Sequence, residues 1–181
     1  MAYYKKIDGG KCYLSPINLE DSDLYTGWLN DPEVFRFLNL ATVNITPEGE
    51  RQALSLISQQ HNYGILDSVE DKLIGICGFI TLDQLNQSGE CGIFIGEKGY
   101  WNRGYGSRAL ECLLYYGFEY LNLHNIMLQV YDFNERGIGC YKKCGFKEQG
   151  HRREALLREG KRWDIIQMDI IRDEFSWQPE K

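Results

Sequence analysis

Four prolines, three histidines and no Cys-x-x-Cys pair in 181 residues leave little material for a linker-rich or metal-stapled protein. No apolar run approaches the roughly 20 residues of a membrane span. The opening Met-Ala-Tyr-Tyr-Lys-Lys has no apolar signal-peptide core. Basic residues are in the minority: 20 Lys and Arg against 26 Asp and Glu give a net charge of −6. That balance argues against a nucleic-acid binder, whose phosphate contacts need a basic surface. It suits cationic small molecules or basic protein ends, or serves solubility alone. The positive charge of the C-terminal half gathers between residues 142 and 162, as a contact for an anionic ligand or as a solvated face. Six cysteines stand at 12, 77, 91, 112, 140 and 144, and Cys77 and Cys91 sit inside apolar runs where a free thiol behaves as a small hydrophobe. A reduced, cytoplasmic protein that needs no metal is the economical reading.

What is present suffices for a core: 43% apolar and 13% aromatic residues in a length that fits one domain, residues 1–181, with no repeat or linker to divide it. Residues 11–16 read as a strand, and Asn18 caps a helix from Leu19 to about Leu29. A short helical piece follows from Asp31-Pro32 to Leu38. Thr46-Pro47 opens another helix that should end near His61, with Ala53, Leu54, Leu56 and Ile57 to one side. The period then changes, and Tyr63–Leu66, Lys72–Leu82 and Glu90–Ile95 read as an antiparallel meander. A helix from about Gly104 to Leu121 buries Leu110, Leu113, Leu114 and Phe118. A strand at Ile126–Tyr131, a helix at Asn134–Lys143, and strands at about Phe146–Gly150 and Trp163–Ile171 complete a mixed α/β domain with a central sheet.

The most informative segment is Gly99-Tyr100-Trp101-Asn102-Arg103-Gly104-Tyr105-Gly106-Ser107-Arg108-Ala109, between a strand and a helix. Glycine lets backbone N–H groups approach a ligand, and a helix N-terminus offers unpaired donors to a pyrophosphate. A P-loop is excluded because Gly-Lys-Ser/Thr is absent. Gly104-x-Gly106-x-x-Ala109 matches the dinucleotide fingerprint by spacing, but it follows an antiparallel meander and no ribose-binding carboxylate stands about 20 residues on. A turn that binds no ligand is the remaining alternative.

These residues resemble the GCN5-related N-acetyltransferase (GNAT) superfamily, and within it the ribosomal-protein N-terminal and spermidine acetyltransferases. Trp101-Asn102-Arg103-Gly104-Tyr105-Gly106 resembles the family's Gln/Arg-x-x-Gly-x-Gly/Ala motif, with Trp101 departing at the first position. Glu90-Cys91-Gly92 resembles the Glu-x-Gly strand before it. Asn134 with Tyr141-Lys142-Lys143-Cys144-Gly145-Phe146 resembles the Asn-x(6)-Tyr-x-Lys-x-Gly-Phe signature, and residues 150–164 resemble the closing Gly-x-x-Arg-Glu-Ala…Gly-x-x-x-Asp segment. The Gly137-Ile138-Gly139 stretch departs from the family's Ala-Ile followed by a larger residue.

The resemblance implies an α/β (mixed α+β) GNAT fold, a mostly antiparallel sheet of six to seven strands flanked by about four helices. It implies direct attack of a primary amine on acetyl-CoA as co-substrate, with no metal and no acyl-enzyme. The amine must be neutral, which costs an alkyl amine about 4 kcal/mol at pH 7. Glu90 then orients or deprotonates the amine, or is only a solvated carboxylate beside a turn. Tyr141 protonates the departing thiolate. Coenzyme A is expected at Ile95, on the backbone amides from Arg103 through Gly104, Tyr105 and Gly106 to Ser107, and at Asn134, which could instead cap its helix. Arg103, Arg108, Lys142 and Lys143 are candidates for the phosphates. Cys140 and Cys144 flank Tyr141, but a cysteine nucleophile would want a histidine, and none is placed beside them. The acceptor pocket is expected near Phe35, Phe37, Tyr63 and Trp163. A peptide N-terminus, a polyamine and an amino sugar or its nucleotide remain open as acceptors, as do a silent coenzyme A-binding module and a homodimer paired through edge strands. Against a polyamine, the loop from Asn39 to Asn44 carries no carboxylate.

Overall fold

The computed structural model describes residues 3–40 and 42–179; position 41 of the carboxylate-free loop lies outside them. Ile7–Asp8 (β1) pairs with Cys12–Pro16 (β2), an edge too short to stand out in the sequence. Asn18 accepts a hydrogen bond from the Glu20 N–H, as expected of a cap, but it caps a 3-10 turn at Leu19–Asp21. The α-helix proper is Ser22–Leu29 (α1). Pro32–Phe35 (α2) is a single turn capped by Asp31.

Pro47–Ile57 (α3) starts where Thr46-Pro47 predicts, with Thr46 Oγ1 accepting from the Gly49 N–H at 3.1 Å. It stops four residues short of His61 because the Asn62 side chain donates to the Ile57 carbonyl at 3.2 Å and turns the chain into a strand. Of the apolar face expected on α3, Leu54 is buried, whereas Leu56 is 68% exposed and Ala53 is exposed too.

The meander is Asn62–Asp67 (β3), Leu73–Asp83 (β4) and Ser88–Ile95 (β5), each antiparallel to the next. Tyr105–Glu119 (α4) follows, and its Leu110, Leu113, Leu114 and Phe118 are fully buried. Asn125–Tyr131 (β6), Glu135–Lys143 (α5), Lys147–Arg158 (β7) and Lys161–Ile171 (β8) complete the chain. The sheet order is β1-β2-β3-β4-β5-β6-β8-β7, eight strands among the described residues where six to seven were expected, with five helices rather than about four. β7 is much longer than Phe146–Gly150 because Gly150 sits at a bulge, not an end; the strand continues to a two-residue turn at Glu159-Gly160, both with positive φ.

The sheet is covered on both faces. α4 and α5 pack on one face over Ile65, Cys77, Cys91, Leu128 and Ile166. α1–α3 cover the other, around Tyr13, Tyr25, Trp28 and Leu54. Cys77 and Cys91 are each 2% exposed and behave as the small hydrophobes their apolar runs suggest.

Candidate active site

The one parallel pairing among the described strands opens a cleft. β5 and β6 pair only at Ser88–Asn125, Gly89–Ile126 and Glu90–Met127, although β5 runs on to Ile95 and β6 to Tyr131. Beyond Glu90 the strands part and leave facing backbone groups without ladder partners. A cleft of about 930 Å³ occupies the gap, lined by both strands, the start of α4 and one side of α5.

Alternation along β5 assigns the faces. Cys91, Ile93 and Ile95 pack with the α4/α5 core, and Phe94 packs with the α1–α3 core. Glu90, two pleats from Phe94, therefore belongs to the α1–α3 face. It sits at the last paired position of β5 and opposite a bulge in β4, where Phe79 pairs with Cys91, Thr81 pairs with Glu90 and Ile80 is left over. Tyr141 reaches the cleft from α5, on the other face. It is 9% exposed, its ring packs against Phe146, and its hydroxyl bonds to none of the described residues. Burial, with the nearby Cys140, holds its pKa well above that of an ordinary phenol.

The glycine-rich turn closes one end. Gly104 is the N-cap of α4 with φ +82°, a left-handed conformation that penalises any side chain, and no side chain caps the helix. The first N–H groups of a 15-residue helix thus have no side-chain cap. At Gly106 a Cβ would stand 3.6 Å from Cys140 Sγ, an ordinary contact, so protein packing alone does not demand glycine there. Gly104, Tyr105, Gly106, Ser107, Ile95 and Asn134 all line the cleft. Tyr105 does so without offering its hydroxyl, which donates to Asp67 at 2.7 Å. Trp101, the departure from the family motif, donates its indole N–H to the Ile95 carbonyl at 2.7 Å and so ties the turn to the end of β5.

Other candidates lie elsewhere. Arg103 is outside the lining, with its guanidinium over the Tyr100 and Tyr105 rings and bonded to the Gly99 carbonyl. Arg108 points the other way, pairing with Glu111 at 3.2 Å and stacking on Trp177. Lys143 lines the cleft and Lys142 does not. Of the aromatic residues expected around the acceptor, Phe37 lines the cleft, whereas Tyr63 is buried against Tyr116 and Phe35 is outside the lining. Trp163 reaches the site only indirectly, packing on Phe133, which in turn packs on Phe37.

Asn134 caps α5 by accepting from the Gly137 N–H at 3.0 Å, so the capping role is real. This also explains Gly137: a Cβ there would fall 2.5 Å from Asn134 Nδ2. Gly139 is different, since a Cβ there would meet nothing within 4 Å and the residue faces the cleft. Sequence reasoning passed over Arg136. Its guanidinium stacks 3.7 Å from the Trp101 ring centroid and lies over Phe37, and no carboxylate pairs with it among the described residues. A cation in the first turn of a helix opposes the helix dipole, which was the available signal.

A family model described as "Acetyltransferase (GNAT) domain" matches residues 11–147, more than half of the chain. The chain belongs to the GNAT acetyltransferase family. Its reaction class is therefore N-acetyl transfer, as in its relatives. It is 29% identical over 168 residues to the uncharacterized N-acetyltransferase p20 of Bacillus licheniformis, covering 90% of this chain and 94% of that one. It is 29% identical over 111 residues to the spermidine N(1)-acetyltransferase of Vibrio cholerae, covering 61% and 64%. The crystal structure of a Vibrio cholerae spermidine N-acetyltransferase in complex with CoA and spermine superposes with a TM-score of 0.82 at 22% identity, over 91% of this chain and 97% of that one. At that identity the superposition speaks for the fold. Among the described residues no helix of this GNAT protein is long and apolar enough to cross a membrane.

Proposed function

We propose that this GNAT enzyme transfers the acetyl group of acetyl-CoA directly to the α-amine of a peptide. One observation carries the reading. The gap between β5 and β6 places Glu90 and the unpartnered Tyr141 hydroxyl on opposite faces of one cleft that ends at the uncapped start of α4. In this reading the amides of residues 104–107 hold the pyrophosphate, and the free edges of β5 and β6 flank the pantetheine arm. The amine then approaches from the α1–α3 face past Glu90, and Tyr141 stabilises the departing thiolate from the other. Arg136 and Lys143 are the cleft's cations and suit the phosphates better than Arg103 or Arg108.

The acceptor follows from charge and pKa. Among the described lining residues Glu90 is the one carboxylate, beside Arg136 and Lys143. A polyamine, with several ammonium groups to neutralise, is poorly served by that lining. A peptide α-amine, with a pKa near 8, costs only about 1 kcal/mol to hold neutral at pH 7, and one carboxylate is enough to orient it. The same cationic lining favours an amino-sugar nucleotide as the second reading, its phosphates meeting Arg136.

Calorimetric titration with acetyl-CoA, run beside NAD and ATP, tests the cofactor. Micromolar binding of acetyl-CoA alone is expected, and no binding by folded protein would overturn the reading. Thiol release with short peptides, spermidine and amino-sugar nucleotides then tests the acceptor; turnover with spermidine but not with peptides would refute the α-amine.

A further inference from the structure

The proposed reaction uses no cysteine thiol, yet two stand at its edge. Cys140 lines the cleft on α5, and Cys144 follows one turn later at the C-cap of the same helix. Cys140 Sγ lies 3.4 Å from Ser107 Oγ, in the first turn of α4. The Cys144 thiol donates to the Ser107 carbonyl at 3.5 Å, so both sulfurs lie against the same residue. A sulfur anion at Cys140 would thus receive a hydrogen bond from the Ser107 hydroxyl, beside the positive end of a 15-residue helix. We propose that Cys140 and Cys144 form a peroxide-reactive dithiol, with Cys140 as the attacking thiolate and Cys144 as the resolving thiol, and that its oxidation impairs the cofactor cleft.

The chemistry balances with a hydroperoxide as the oxidant. The Cys140 thiolate attacks the peroxide, an S–O bond forms as the O–O bond breaks, and the displaced oxygen leaves as water or alcohol after taking a proton. Cys144 then attacks the sulfenic sulfur, an S–S bond forms, the S–O bond breaks, and the hydroxide leaves as water with the Cys144 proton. Two thiols lose two electrons in all.

Closing the bond requires the last turn of α5 to move. Residues four apart on a helix have Cα atoms about 6 Å apart, inside the range disulfides span, but Cβ atoms about 5–6 Å apart against the roughly 3.5–4.5 Å a disulfide takes. Cys144 is the C-cap, with ψ +2° and Gly145 behind it at φ +96°, and its N–H is shared between the Cys140 and Tyr141 carbonyls, so the bond forms by loosening this last turn. The surroundings select Cys140. The neighbouring Cys144 and Ser107 side chains hold its pKa below that of an ordinary thiol. Burial raises Cys12 and Cys91 to about 12 and pushes Cys77 and Cys112 upward too. The consequence for the site is local: closing the disulfide takes the Cys140 sulfur from Ser107 and strains the turn that carries Tyr141.

The test treats the full-length protein with hydrogen peroxide, blocks residual thiols, and reads intact mass and tryptic peptides. The expected product has lost two hydrogens and joins the tryptic peptides 137–142 and 144–147. Cys144→Ser should stop at a dimedone-reactive sulfenic acid on Cys140, and Cys140→Ser should form neither product. Oxidation of another cysteine first, or no linkage between these two peptides, overturns the dithiol. The link to the cofactor rests on the function proposed above and has its own readout. Saturating acetyl-CoA should slow disulfide formation about fivefold or more, and thiol release by the oxidised protein should recover on reduction with dithiothreitol. An unprotected disulfide in a protein that binds acetyl-CoA by calorimetry would overturn the link to the cleft and leave the dithiol standing.

Discussion

Replacing Tyr141 by phenylalanine removes one oxygen and keeps the rest of the residue's work. The ring still packs on Phe146, and the lost hydroxyl had no partner among the described residues, so no donor or acceptor is orphaned. Stability should therefore hold, with Tm within a degree or two. Catalysis should not. Burial holds the Tyr141 pKa well above its ordinary 10.0, whereas a thiol leaving group titrates nearer about 8.5. Complete proton transfer from tyrosine to the thiolate is then uphill by more than about 2 kcal/mol. The residue works chiefly by donating a hydrogen bond to developing charge. Such a bond to a charged group contributes about 1.5–3 kcal/mol, which converts to a loss of roughly 10- to 150-fold in kcat. The sign of the pH dependence follows from the same shift. The protonated phenol is the competent form, and raising its pKa keeps it protonated through any practical assay range, so Tyr141 should impose no falling limb below pH 10. Thiol-release kinetics with calorimetric acetyl-CoA titration separate the effects: kcat falls and the acetyl-CoA Kd stays. A kcat within twofold of the wild type would refute the assignment, as would a loss explained by weaker cofactor binding.

Two further predictions bear on the opposite wall and on the helix behind it. Glu90→Gln keeps the shape of the last paired position of β5 and removes its charge; kcat/KM for the amine should fall at least about tenfold, with acetyl-CoA affinity unchanged by calorimetry. Equal loss of both would mean that Glu90 holds the strand junction and not the amine. Gly137→Ala should lower stability by about 1–3 kcal/mol in denaturant melts, because its Cβ would fall 2.5 Å from the Asn134 side chain and disturb the cap. Gly139→Ala, with open space at its Cβ, should raise stability by up to about 1 kcal/mol through helix propensity alone. The opposite order in the melts would refute the capping account of Gly137.

Much of the architecture is legible in the sequence where a single period governs a whole element. α4 repeats its apolar residues at helical spacing and buries the four that spacing selects. Thr46-Pro47 starts α3 because a cap is a local interaction. Errors arise where a distant group intervenes. Asn62 ends α3 early, and Gly150 reads as a terminus although its strand partner carries β7 through a bulge. The same division runs through the site. Gly104 is legible because its conformation is a property of one residue, whereas Ser107 against Cys140 joins positions 33 apart that nothing in either segment anticipates. Least legible of all is the opening itself. β6 alternates buried residues along its length and β5 along its first half, and both read as ordinary sheet strands. β5 is committed to β4 through eight paired positions and β6 to β8 through seven, whereas the two share only three. Each long antiparallel ladder twists with its own partner. The cleft thus results from two well-satisfied halves of a sheet that cannot stay in register with each other, and a motif search along one chain segment sees only its walls.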